Sequence, residues 1–168
     1  GKGVRDEILE ICEGLRRILN EHREIVLMDE SLACILFIIM REENLERVIN
    51  NISWFLNLEP IDAWNKLLMI TKRGLAKIDE DGKIVLSEKS LRFLSDLINI
   101  AARLERIKIF WSRGAISRIV EKIDSLSEKS LIDSLGNVEK LSIIKLLTSM
   151  IFSGASPEAA ARMIDYIL

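Results

Sequence analysis

Leu67-Leu68-Met69-Ile70-Thr71-Lys72-Arg73-Gly74-Leu75-Ala76-Lys77-Ile78-Asp79-Glu80-Asp81-Gly82-Lys83-Ile84-Val85-Leu86-Ser87-Glu88-Lys89 is the stretch that decides the fold. Its first part closes a helix that begins at Pro60 and runs to about Arg73, and Gly74 is well placed just past the end, where a left-handed backbone is cheap only for glycine. Ala76, Lys77 and Ile78 then lead into Asp79, Glu80, Asp81 and Gly82, and Lys83, Ile84, Val85 and Leu86 lead out. Asp81-Gly82 is a strong short hairpin signal, because both residue types tolerate the positive φ of a two-residue turn. An isolated pair of strands is marginal in water, so the hairpin must lie on helices. Ser87 caps the helix that follows.

Upstream, the apolar positions Val4, Ile8, Ile11, Cys12, Leu15, Ile18 and Leu19 fall on one helical stripe, which ends near Asn20. A polar stretch through His22 follows, and Asp29 or Ser31 can cap a second helix whose body, Leu32 to Met40, is apolar on all faces and therefore central. A third helix covers Leu45 to Leu56, and Asn57, Leu58, Glu59 and Pro60 turn into the fourth. Downstream, the longest helix is expected from Glu88 to about Ser112, with Leu91, Leu94, Ile98, Ala101, Leu104, Ile107 and Trp111 on its apolar face. Further helices are expected at 115–126, at 128–135 with Gly136 as stop, at 138–153 with Gly154 as stop, and at 157–168 behind Ser156, Pro157 and Glu158. The string Leu-Ser-Glu-Lys-Ser-Leu occurs at 86–91 and again at 126–131, but its flanks differ, so it reads as two helix starts with shared capping chemistry.

The bulk composition agrees with a helical globular protein. Apolar residues make up 49% and charged residues 30% of the 168, with two prolines and eight glycines. The formal net charge of -2 gives no whole-molecule attraction for nucleic acid or an acidic membrane, so polyanion binding needs a local patch. The longest apolar run, Leu32 to Met40, is nine residues, about half of what a membrane-spanning helix needs. Lys2, Arg5, Asp6 and Glu7 are unlike a secretory signal, and the expected location is cytoplasmic. Cys12 and Cys34, among apolar neighbours, read as buried thiols, and abundant Ile, Lys and Glu with little Gln hint at a thermophilic source.

The order helix, helix, short turn, helix, Gly-Leu, hairpin, capped helix across 29–112 resembles the winged helix-turn-helix superfamily. Many of its members end the recognition helix with a leucine pair and a basic-Gly-Leu step, as at Leu67-Leu68 and Arg73-Gly74-Leu75. They enter a wing turning on Asp-Gly, as at Asp81-Gly82, and leave through a leucine, a hydroxyl and a glutamate, as at Leu86-Ser87-Glu88. The fold class so implied is mainly α: a winged helix-turn-helix-like core with one β-hairpin and additional N- and C-terminal helices. A helical bundle with an incidental hairpin is the other reading. The corresponding division is an N-terminal helix at 1–28, the winged-helix-like domain at 29–112 and a C-terminal helical region at 113–168 packed on it.

The resemblance implies DNA binding or transcription regulation, with the third helix in the major groove and the wing on phosphates or the minor groove. The nucleic-acid-binding candidates are Trp64, Asn65, Lys66, Lys72, Arg73 and Lys83, joined by Arg103 and Arg106 from the long helix. Residues 61–78 carry Lys66, Lys72, Arg73 and Lys77 against Asp62, a net of +3. An ordinary solvated helix with Trp64 half-buried fits the same pattern. Against DNA stand Asp79, Glu80 and Asp81 at the wing tip, with Lys83 as the one basic residue beside them, and Glu42, Glu43, Glu46 and Glu59 before it. They keep open an alternative, a non-enzymatic helical adaptor that uses the winged helix for protein–protein interaction. On the long helix, Arg92, Asn99, Arg103, Arg106 and Arg113 make a ridge, while Phe93, Ile100, Phe110 and Trp111 offer spare apolar surface for a homodimer seam along 88–112.

Catalytic signals are lacking in the sequence. His22 is the one histidine, so Ser-His, Cys-His and His-rich metal sites cannot be assembled in the usual ways, and between Glu21 and Arg23 it reads as exposed. Cys12 and Cys34 lack metal-pair spacing, and phosphate-cradling glycine motifs do not occur. The expectation is therefore no enzyme, no catalytic residue, no cofactor and no metal site, with double-stranded DNA or a protein as partner and no membrane.

Overall fold

The computed structural model describes residues 4–107 and 135–152. In chain order the elements are α1 (Val4–Glu21), α2 (Arg23–Val26), α3 (Leu32–Arg41), α4 (Leu45–Leu56), α5 (Pro60–Lys72), β1 (Ala76–Ile78), β2 (Ile84–Leu86), α6 (Glu88–Ile107) and α7 (Leu135–Phe152). The protein is mainly helical, as its composition predicts, and the described residues hold one small antiparallel hairpin, where the Asp81-Gly82 stretch predicts it. Among the described residues no helix is long and apolar enough to cross a membrane. The described residues fall into two compact units: Ser31–Ser95, and the residues up to Glu30 together with those from Asp96 onward.

The unit of residues 31–95 is built around α3. Eight consecutive residues, Leu32 to Ile39, are buried, and each large side chain among them contributes about 1.5–3 kcal/mol by leaving water. Ser31 occupies the expected N-cap position, although its side chain makes no cap hydrogen bond. Asn44 does cap α4, its Oδ1 accepting the Arg47 amide at 3.0 Å. α4 buries Val48, Asn51, Ile52 and Phe55, and packs on α3 and α5. It ends on Asn57, whose left-handed φ of 53° lets the Leu58 amide reach the Ser53 carbonyl at 2.9 Å.

The hairpin pairs Ala76 with Leu86, Lys77 with Val85 and Ile78 with Ile84. β2 lies on α3 and β1 on α5, which supplies the helical support two strands require. A single antiparallel bridge joins Asn44 to Lys83, and the Ile84 amide donates to the Glu43 carbonyl at 3.0 Å, tying the hairpin to the start of α4. The turn differs from the expected two-residue form. Gly82 has a φ of 75° but Asp81 does not take a positive φ. The Gly82 amide donates to the Asp79 carbonyl at 3.1 Å, and the Asp79 amide to the Lys83 carbonyl at 2.8 Å, so the loop has three residues with glycine in the left-handed position. The cause is Asp79, whose Oδ1 accepts the amides of Asp81 and Lys83, both at 2.9 Å.

The base of the hairpin is closed by serines. Ser87 caps α6 as expected, its Oγ accepting the Ser90 amide at 3.3 Å. The Leu75 carbonyl accepts both the Ser87 amide at 2.9 Å and the hydroxyl of fully buried Ser90 at 2.8 Å.

In the other unit α1 buries Ile11, Cys12, Leu15 and Ile18, four positions of the expected stripe, and packs on α2 and α7. Cys12 is buried and unbridged there, as Cys34 is in α3. The four-residue α2 was not expected; one turn is too short to show a periodicity. α7 runs through Gly136, which therefore does not act as a stop. Burial of Leu141, Ile143, Ile144, Leu147, Met150 and Ile151 outweighs the glycine's penalty of about 1 kcal/mol. Thr148, buried on the same helix, returns its hydroxyl to the Ile144 carbonyl at 2.8 Å.

The buried stripe of α6 is Ser90, Phe93, Leu94, Leu97, Ile100, Ala101 and Leu104. The sequence placed the centre of that face one residue away, on Leu91, Leu94 and Ile98; Leu91 is exposed. Phe93 and Ile100, expected as spare apolar surface for a dimer seam, are core residues instead. Phe110, Trp111, Arg113, Gly114 and the helices expected at 115–126, 128–135 and 157–168 lie outside the described residues, apart from Leu135 itself, which opens α7.

Candidate nucleic-acid interface

α5 owes its limits to its ends. Pro60 occupies the first turn, where its missing amide costs nothing, and Gly74 stops the helix with a φ of 74°. The reversal is locked by the Gly74 amide on the Thr71 carbonyl at 3.0 Å and the Leu75 amide on the Ile70 carbonyl at 3.1 Å. Ala63, Leu67 and Ile70 face the core. The opposite side presents Ile61, Asp62, Asn65, Leu68 and Lys72, all exposed, with Arg73 at the C-cap.

The expected site residues separate on this frame. Asn65, Lys72 and Arg73 are exposed on α5 and at its end, while Trp64 and Lys66 are half-buried on its flank. Lys83 is exposed on the hairpin, as is Lys77, which pairs with Val85 across the strands. These residues all belong to the unit of residues 31–95. Arg103 belongs to the other unit, with its guanidinium 3.9 Å from the Glu10 carboxylate. Arg106 stands in the last turn of α6, and its side chain lies outside the described residues.

Lys72 and Arg73 also complement the negative end of the α5 dipole, worth about 0.3–1 kcal/mol each, so their placement has a structural benefit besides any ligand. The acids at the hairpin tip divide by role. Asp79 is committed to the loop backbone, whereas Glu80 and Asp81 are exposed. Residues 31–95 carry nine basic and nine acidic side chains, so any attraction for polyanions needs a local cluster, for which Lys72, Arg73, Lys77 and Lys83 are the candidates.

No known protein family, curated protein or solved structure matches the chain.

Two features escaped the sequence reading. Ile61, at 63% exposure, together with Leu68 and Val85 makes apolar surface on α5 and β2. Leu68 stands beside buried Leu67 in the leucine pair, and the helical step of 100° that separates neighbours was the available signal. The second is His22, expected to be exposed. Its side chain is 11% exposed, with Nε2 2.7 Å from Asp96 Oδ2. A separation of 74 residues hides that pairing from any local pattern.

Proposed function

We propose that residues 31–95 are a winged helix-turn-helix unit that binds double-stranded DNA in transcriptional control. The observation that carries the reading is the run of exposed cations from the end of α5 through the hairpin, Lys72, Arg73, Lys77 and Lys83. β1 packs on α5, and the bridge between Asn44 and Lys83 holds the hairpin to the start of α4, so α5 and the hairpin are offered together rather than as independent segments. In this reading α5 enters the major groove with Asn65 toward base edges and Lys66 beside it. Lys72, Arg73 and Lys83 contact phosphates, and half-buried Trp64 positions the helix on its own core.

Anisotropy titration of a labelled random-sequence duplex at low salt tests it. Saturable binding is expected in the range of about 10⁻⁶ to 10⁻⁴ M typical of non-specific contact, and no rise in anisotropy up to about 100 µM protein sinks the proposal.

A protein-binding adaptor is the second reading, favoured by the exposed Ile61, Leu68 and Val85 and by the acids Glu80 and Asp81 at the tip. A chain that shifts duplex DNA when pure, with Lys72→Ala weakening the shift, counts against the adaptor. Dimerisation along α6 lacks the two core residues Phe93 and Ile100, and sedimentation of the pure chain decides it.

A further inference from the structure

α1 ends at Glu21, and His22, at φ -121° and ψ 32°, is the corner from which α2 departs. The corner sets two consecutive side chains against Asp96 of α6. One donor atom from each of Glu21, His22 and Asp96 lies within 4.8 Å of the other two. All three residues belong to one compact unit. Asp96 is held on a helix whose neighbouring turns are anchored in the core by Leu97, Ile100 and Ala101.

We propose that Glu21, His22 and Asp96 bind a divalent transition-metal ion of the zinc class. One imidazole nitrogen and two carboxylate oxygens suit a borderline ion, whereas magnesium and calcium prefer oxygen alone. Bonds of about 2.0–2.1 Å in tetrahedral geometry put ligand atoms about 3.3 Å apart. The His22–Asp96 pair, at 2.7 Å, has to open slightly, and Glu21, exposed at the helix end, has only to swing in. The two carboxylates neutralise the ion. A cleft of about 280 Å³ adjoins them, lined by Glu21 and Asp96 together with Asn99, Arg17 and Arg103; it leaves room for a fourth ligand, and the two arginines oppose the cation and favour an anion in that position.

The competing explanation is that His22 and Asp96 simply fasten the corner to α6 by a hydrogen bond. The two differ in what added metal does. Calorimetry of the chelator-treated full chain with Zn²⁺ is expected to give one ion per chain, and excess Mg²⁺ does not displace it. Co²⁺ is expected to give visible bands of a tetrahedral ion without a thiolate charge-transfer band. Because His22 is the one imidazole in the chain, its ring proton resonances report the site alone and shift on saturation. His22→Ala and Asp96→Asn lose stoichiometric binding, Glu21→Gln weakens it, and Glu13→Gln, exposed on the same helix away from the cluster, leaves it unchanged. If His22→Ala fails to fold, the wild-type imidazole resonances and Asp96→Asn decide. Unmoved His22 resonances, binding retained in Asp96→Asn, or a thiolate band from Cys12 or Cys34 would each overturn the proposal.

Discussion

Replacing Gly14 by alanine sets two effects of opposite sign against each other at the contact of α1 with α6. In a helix interior alanine is favoured over glycine by about 0.8–1.0 kcal/mol. A Cβ at this position meets Ile100 Cδ1 at 2.3 Å and Cγ1 at 3.5 Å. The first distance is more than 1 Å short of the usual carbon contact of about 3.5–4.0 Å, and the second is ordinary. Ile100 is 8% exposed and, with Gly14, borders the cleft beside Asp96, so its terminal methyl clears the new Cβ only by leaving its packed rotamer toward that cleft. Overpacking of this kind costs about 1–3 kcal/mol, so Gly14→Ala is expected to destabilise by about 1 kcal/mol net. Ile100→Val deletes the clashing atom. Alone it should cost about 0.5–1.5 kcal/mol for the lost methyl. In the Ile100→Val background the alanine keeps its helical advantage without the clash, so the same Gly14→Ala change becomes stabilising by about 1 kcal/mol. Urea unfolding of the four proteins, followed by circular dichroism, measures the coupling, expected at about 1–3 kcal/mol. Additivity within about 0.5 kcal/mol, or a stabilising Gly14→Ala in the otherwise unaltered chain, refutes the close approach of these helices.

The hairpin yields two further predictions. Nothing lies within 4 Å of a Cβ built at Gly82, so Gly82→Ala tests backbone strain alone. It should cost about 1–2 kcal/mol, read as a lower melting temperature, whereas an unchanged melting temperature would mean that the loop does not need the left-handed residue. Ser90→Ala removes the buried donor to the Leu75 carbonyl and the partner of the Ser87 hydroxyl, and should cost about 1–2 kcal/mol. Hydrogen exchange should show faster opening of the hairpin amides first, and exchange that is faster only in α7 would contradict that assignment.

The parts of the fold that were legible in the sequence are those with strong local signals. Gly74 and Gly82 both take a left-handed backbone, Ser87 caps α6, and the continuous apolar run of α3 is buried on every face. What local pattern could not supply is competition among side chains. The Asp79 carboxylate takes the Asp81 and Lys83 amides and so converts the expected two-residue turn into a three-residue loop. On α6, two overlapping stripes share Leu94, Ala101 and Leu104, and small, polar Ser90 gives no hint that its side is the buried one. The cations of the candidate interface were legible as residue types near a helix end. Exposed Ile61 and Val85 were not singled out, because exposure depends on what packs alongside. The His22–Asp96 contact is long-range in sequence and has no periodic signature.

The central claim is that the C-terminal end of α5 meets DNA phosphates, and the salt dependence of duplex binding tests it most directly. With each phosphate contact contributing about -0.9 to the slope of log K against log salt, Lys72→Ala/Arg73→Ala should flatten that slope by about 1.8 and weaken binding across all duplex sequences. A double variant whose slope and affinity match the unaltered chain would contradict the account.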